Sequence, residues 1–217
     1  MPKAERNKRY HIFLLLSLIP IFLWSLIKCF DLYTWVLESA PVIIGGVILI
    51  SVYRKFRLTN LAYILIWLHA VILLIGAHYT YAKMPFFNWI ADVFDLSRNH
   101  YDRLGHFVQG FTPAILAREI LLRTSPLKQG KWLFVIVISI CLAISAAYEL
   151  LEWMVAVIAK TAAEAFLGTQ GDNWDTQKDM AFCLLGAVVS LITLSKFHNK
   201  DLKNIKIKTT FCRENNI

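Results

Sequence analysis

Asp102-Arg-Leu-Gly-His-Phe-Val-Gln-Gly-Phe-Thr-Pro-Ala-Ile-Leu-Ala-Arg-Glu-Ile-Leu-Leu-Arg123 is the stretch whose reading decides the fold. A helix that crosses a bilayer needs roughly 20 mostly apolar residues. Five other runs meet that need plainly: 11–28, 35–53, 61–80, 132–158 and 179–196. The segment 103–123 does not, because its apolar centre, Phe107 to Ala117, is short and polar residues flank it on both sides. Loop charge argues for keeping it. Cytoplasmic loops carry the Lys and Arg excess. With 103–123 counted as a span, seventeen of the 23 Lys and Arg fall in the N-terminus, the loops after the second and fourth spans, and the C-terminal tail. Six (Lys28, Lys83, Arg98, Arg103, Lys160 and Lys178) fall on the other side. Without this span the alternation fails for everything downstream. The expectation is an all-α polytopic membrane protein of about six transmembrane helices with both termini cytoplasmic. The fourth helix must be enclosed by protein, since lipid would not accept its polar stripe, and Pro113 is expected to kink it.

Composition agrees. At 217 residues and 57% hydrophobic content, the chain forms one integral-membrane helical domain over 1–196, with a basic cytoplasmic tail over 197–217. That tail is expected to be disordered or to lie on anionic headgroups. The net charge of +8 needs no nucleic-acid partner, because topology already accounts for the basic residues. Lys3 to Arg9 ahead of an apolar run has the outline of a signal peptide. No small-residue cleavage site follows Ile27, so an uncleaved anchor is expected. Cys29, Cys141, Cys183 and Cys212 lie in separate segments without a C-x-x-C pair, which suits packing thiols.

Several local features follow. Trp24, Trp35, Tyr53, Tyr63, Tyr79 and Tyr81 sit near span ends, where amphipathic rings favour the interface. Gly45 and Gly46 are expected to let helices pack closely. In 85–96, Asn88, Asp92 and Asp95 interrupt apolar residues at spacings of four and three, the pattern of a short helix on the outer surface. Thr176-x-x-Asp179 reads as a capping box for the last helix. Glu119 and Arg123 form an i, i+4 pair of structural character. His69 is expected to be a hydrogen-bonded core residue.

The residues that could carry chemistry gather at one end. Asp102, His106, Gln109 and Pro113 share one face of the fourth helix; Ser145, Glu149 and Glu152 share one face of the fifth. Glu149 lies ~25 Å along its helix from Trp132, and His106 only ~6 Å in from Asp102, so both reach the outer level. His78 is expected at that level too. Asp172, Asp175 and Asp179 arrive from the last loop, and eleven of the fifteen acidic residues fall on this side. Two carboxylates one turn apart inside a membrane repel unless a proton or a cation lies between them. The candidate catalytic residues are therefore His106, Glu149, Glu152 and Asp102, the last orienting the imidazole or else capping its helix. The candidate metal ligands are His106, Glu149, Glu152, Asp172, Asp175 and Asp179, for a divalent metal. There is no H-E-x-x-H, no G-x-S-x-G, no P-loop and no EF-hand loop.

Three stretches carry a family resemblance: Asp102-Arg-Leu-Gly-His-Phe107 with Gln109-Gly-Phe-Thr-Pro113; Ser145-Ala-Ala-Tyr-Glu-Leu-Leu-Glu-Trp153; and Gly168-Thr-Gln-Gly-Asp-Asn-Trp-Asp-Thr-Gln-Lys-Asp-Met180. Their order over about 60–195 closely resembles the YjdF family of bacterial inner-membrane proteins. That implies a location and a topology but no reaction. A looser similarity is to VanZ-like membrane proteins, with Glu152 where Gln is usual, which hints at cell-envelope or lipid work. The expected function is thus a polar His/Asp/Glu site at the periplasmic interface acting on a lipid or cell-envelope precursor. The alternatives are a small ion-coupled transporter and a structural or assembly membrane protein.

Overall fold

The helix with the weakest apolar signal is the one most enclosed by protein. In the computed structural model, which describes residues 3–159 and 169–205, it runs from Tyr101 to Thr124 and exposes only Ile120 and Thr124. The described residues form seven α-helices: α1 (Lys3–Leu26), α2 (Leu32–Val52), α3 (Asn60–Tyr79), α4 (Pro85–Val93), α5 (Tyr101–Thr124), α6 (Lys131–Ala159) and α7 (Asp175–Asn204). Helices α1, α2, α3, α6 and α7 are long and apolar enough to cross a membrane; α5 is not. Packed against α3, α6 and α7, it hides Arg103, His106, Arg118 and Glu119 from lipid. Enclosure is what makes its polar residues tolerable.

Hydrogen bonds across the bundle fix which helix ends lie together. At the near end, where α1 begins, His11 reaches Tyr53 and Asn60 at 2.9 and 2.8 Å, and the Leu61 N–H donates to Asp201 at 3.1 Å. At the far end, Phe30 N–H donates to the His78 carbonyl at 2.9 Å. Local sequence sets the helix starts: Asp31 accepts from Thr34 N–H at 2.7 Å to cap α2, and Thr59 accepts from Ala62 N–H to cap α3. Helix α4 opens on Pro85, whose fixed φ suits a first helical position. It exposes Phe86, Trp89 and Val93, the apolar row of a membrane-seeking surface helix.

Small residues set the closest approach. A Cβ on Gly110 would lie 1.8 Å from the Cys183 carbonyl oxygen, and one on Gly186 would lie 1.9 Å from that of Phe107. Helices α5 and α7 therefore touch backbone to backbone. Gly45 and Gly46 have no atom within 4 Å of such a Cβ, so the packing role expected of them belongs to Gly110 and Gly186. The core beside this crossing is Ala114, Leu133, Val137, Cys141, Cys183, Ala187 and Leu191. Cys29, Cys141 and Cys183 are free thiols, as packing thiols should be.

Several expectations change. Trp35 is buried and donates to Ser25 at 3.1 Å rather than facing the interface. The Tyr81 ring sits between α3 and α5, where Cβ atoms on Gly76 and Gly105 would collide with it at 2.4 and 2.9 Å. Helix α7 starts at Asp175 with no side-chain cap, so the Thr176–Asp179 box does not form; Asp179 instead turns inward to Arg103. The same helix runs past Lys196 to Asn204, with His198 fully buried. Residues 160–168 and 206–217, including Cys212 and most of the expected tail, lie outside the described residues.

Candidate functional site

His106 stands at the centre of the far-end cluster, one turn into α5. Its Nδ1 lies 2.9 Å from Gln109 Oε1. An amide oxygen only accepts, so Nδ1 carries the proton and donates. The other ring nitrogen, Nε2, then faces Asp102 Oδ1 at 3.5 Å, Glu149 Oε1 at 3.6 Å and Asp179 Oδ1 at 3.8 Å. Asp102, on the first turn of α5, is not the helix cap, which is His100. Gln109 holds one ring nitrogen of His106, and Asp102 faces the other as part of the ring of carboxylates.

All four expected catalytic residues meet at His106. One ligand atom each from His106, Glu149 and Glu152 lies within 4.8 Å of the others, and the same holds for Asp102, His106 and Asp179. Ligand bonds of about 2.1 Å in tetrahedral array put neighbouring donor atoms about 3.4 Å apart. The separations around Nε2 are of that size, too long for direct hydrogen bonds but suited to a shared cation. Glu149 Oε1 is buried without a hydrogen-bond donor among the described residues. The donor set of one imidazole and several carboxylates fits a divalent metal.

Of the three loop acids, Asp172 and Asp175 stand apart from this group. Arg103 reaches Asp175 Oδ1 at 2.6 Å and Asp172 Oδ2 at 3.2 Å and also pairs with Asp179. Arg98 pairs with Asp175 and lies 3.5 Å from Asp172 and 3.7 Å from Asp102. Asp172 and Asp175, expected as metal ligands, are therefore taken up by two buried guanidiniums that tie the loop to α5. Lys178 adds a 2.7 Å contact to Asp172. That hydrogen bond, with a further one from the Trp174 N–H, holds the Asp172 carboxyl down at about 2. Thr176 is exposed but within hydrogen-bonding reach of the Glu149 carboxylate.

His78 reaches the expected level on the wrong face. It stacks on Trp24 at 4.3 Å, with Nδ1 3.1 Å from the Ser25 carbonyl oxygen, and so serves the α1–α3 contact. His69 belongs to neither acidic group, and no hydrogen bond from it occurs among the described residues.

Sequence reasoning passed over three contributors. Glu38 on α2 is buried, has an oxygen without a donor among the described residues, and lies near enough to Asp102 and Glu152 to feel their charge. The rule that singled out Glu149, an ionisable group inside a span, applied equally to Glu38. Arg98 and Arg103 could have been found by matching the few outer basic residues against the many outer acids.

The described residues form an all-helical bundle with five helices long and apolar enough to cross a membrane, and an acid-rich histidine cluster buried at one end, which defines a polytopic membrane protein. The chain belongs to the family described as "Predicted membrane protein (DUF2238)", whose profile matches residues 10–200. It is 46% identical over 194 residues to "Inner membrane protein YjdF" of Escherichia coli (strain K12), covering 89% of this chain and 93% of that protein. No solved structure matches it. It is a multi-pass inner-membrane protein.

Proposed function

We propose that the far-end cluster is a divalent-metal site at the periplasmic interface, acting on a lipid or cell-envelope precursor. The observation that supports this most is the arrangement around His106 Nε2, where three carboxylate oxygens from α5, α6 and α7 converge at 3.5–3.8 Å. In this reading His106, Glu149 and Glu152 hold the ion, with Asp102 and Asp179 beside it. A metal there would polarise a phosphoryl or carbonyl oxygen or activate water. This chain's own residues fix the imidazole through Gln109, supply acid–base carboxylates, and hold the loop over the cluster through Arg98 and Arg103.

Two further features support a lipid-borne substrate. Leu150, Trp153 and Met154 are exposed on α6 next to the two glutamates, which gives the cluster an apolar flank. Helix α4, with its own exposed apolar row, is tied to the start of α5 through Asn99, which donates to Asn88 at 2.6 Å. The sidedness rests on the Lys and Arg distribution. Reporter fusions at Lys128 and Gly171 should give opposite sidedness, with Lys128 cytoplasmic; the same sidedness for both removes the topology and the periplasmic assignment with it.

The decisive measurement is metal content of the purified protein by mass spectrometry, for the parent, His106→Ala and Glu149→Gln. Stoichiometric divalent metal lost in both variants, together with the phenotype the gene supports, is the expected result. A folded Glu149→Gln protein that keeps full activity would sink the proposal in favour of a structural network.

A further inference from the structure

At the near end a third arginine is buried under different terms. Arg118 on α5 is 4% exposed. It donates to His198 Nδ1 at 2.8 Å and to Asn199 Oδ1 at 2.6 Å, and both partners are neutral acceptors. His198 then passes its Nε2 proton toward Glu119 at 3.1 Å. Glu119 is already matched by Arg123 at 2.6 Å, so it balances only one of the two guanidiniums. Among the described residues no carboxylate lies within ion-pair distance of Arg118. A buried cation without an anion is costly, and a guanidinium presents a planar fork of donors suited to phosphate.

Arg118 also borders open space. A cavity of about 190 Å³ beside it is lined by Gln129, Ser195 and Asn199 on the polar side and by Leu133, Phe134 and Leu191 on the apolar side. It shares Gln129 and Asn199 with a groove of about 380 Å³ whose other walls are Leu122, Leu202 and Lys203. Asn199 donates to Gln129 at 3.0 Å, which ties α7 to the α5–α6 loop at the mouth. One wall is apolar, one is polar, and a buried guanidinium lies at the base with a lysine at the rim. A basic pocket between membrane helices takes an anionic headgroup.

We propose that this cavity binds the phosphate of an anionic phospholipid, with Arg118 as the principal anion contact, Asn199 and Gln129 as positioning groups, and Lys203 at the rim. The apolar walls accept the start of the acyl region. The proposal is independent of the metal reading at the far end.

Native mass spectrometry of the detergent-purified full chain tests it. Phosphatidylglycerol should be retained at one copy per protein and should bind at least about tenfold more tightly than phosphatidylcholine. Equal retention of the two lipids overturns the proposal. Inorganic phosphate at millimolar concentration should not displace the phosphatidylglycerol; displacement would assign the site to free phosphate and overturn the lipid assignment. Arg118→Gln should abolish the preference. Because that variant alters a buried network, Gln129→Glu gives a second arm on an exposed loop residue. It places a negative charge at the mouth and should weaken phosphatidylglycerol binding about tenfold. A folded Gln129→Glu protein that binds as tightly as the parent overturns the proposal.

Discussion

The two ends of α5 carry buried carboxylates under opposite conditions. At the near end, Glu119 accepts from Thr59 N–H at 3.0 Å, Thr59 Oγ1 at 2.6 Å, Arg123 at 2.6 Å and His198 at 3.1 Å. Its lone pairs are used up by donors from α5, α7 and the cap of α3. At the far end, Glu149, Glu152, Asp102 and Asp179 crowd around one histidine with Glu38 near two of them, and Glu38 and Glu149 each keep an oxygen without a donor among the described residues. A saturated carboxylate holds helices together and has nothing left to offer a ligand. A deficit of donors in a buried acidic group costs stability unless something else fills it. Hence the near-end glutamate is a scaffold, and the far-end cluster carries the candidate chemistry.

The sharpest way to break this contrast is to remove one carboxylate from each end. Glu119→Ala leaves Arg123 and His198 without their acceptor and should cost about 3–5 kcal/mol, read as a large drop in thermal stability in detergent. Glu149→Gln in metal-free protein should cost nothing and can raise the melting temperature, because repulsion with Glu152 is relieved. The metal-loaded parent should gain stability that Glu149→Gln lacks, by mass action on the folded state. Equal losses at both ends would mean that the far-end acids are scaffold as well.

Much of this contrast was legible in sequence. Helical spacing put Asp102 and His106 on one face and Glu149 and Glu152 on another, and the structure brings them together. Alternating loop charge kept 103–123 as a helix against its own hydropathy. What stayed hidden depended on tertiary contact. His78 and His106 share a level, and only packing decided that His78 turns to α1. Gly45-Gly46 looks like a packing pair, yet the close crossing uses single glycines, Gly110 and Gly186, on two different helices. Thr176-x-x-Asp179 satisfies the local capping pattern, but Arg103 competes for Asp179 and wins. Local rules name what a residue can do, and burial decides which of its options is used.

The glycines give a smaller effect on the same helix pair. Gly110→Ala and Gly186→Ala each push a methyl into a carbonyl oxygen of the facing helix and should cost about 1–3 kcal/mol. Gly46→Ala meets no atom within 4 Å and should be neutral or gain up to about 1 kcal/mol of helix propensity. A thermal-shift series in detergent separates them; equal behaviour at Gly46 and Gly110 would contradict the close α5–α7 crossing. Thr176→Ala should fall within about 0.5 kcal/mol of the parent, since no cap is lost, and a full loss of about 1 kcal/mol would restore the capping box.

The smallest effect tests whether the loop acids differ from the helix acids within the far end itself. Asp172 is supplied with donors from Lys178, Arg103 and the Trp174 N–H, whereas Glu149 keeps an oxygen without one. The Asp172 carboxyl is held at about 2, below the ordinary value of about 3.9. A depressed folded-state value contributes stability that is fully present above the ordinary value and is lost as pH falls from about 4 toward 2. Asp172→Asn should therefore melt slightly below the parent at pH 6, and the gap should narrow as pH falls below about 4 and close toward pH 2. Because Lys178 is exposed, raising the salt at pH 6 should narrow the same gap. A gap that survives at pH 2 would show that the Asp172 side chain acts through shape rather than charge, and the loop would then lose its place as the donor-satisfied counterpart of the helix acids.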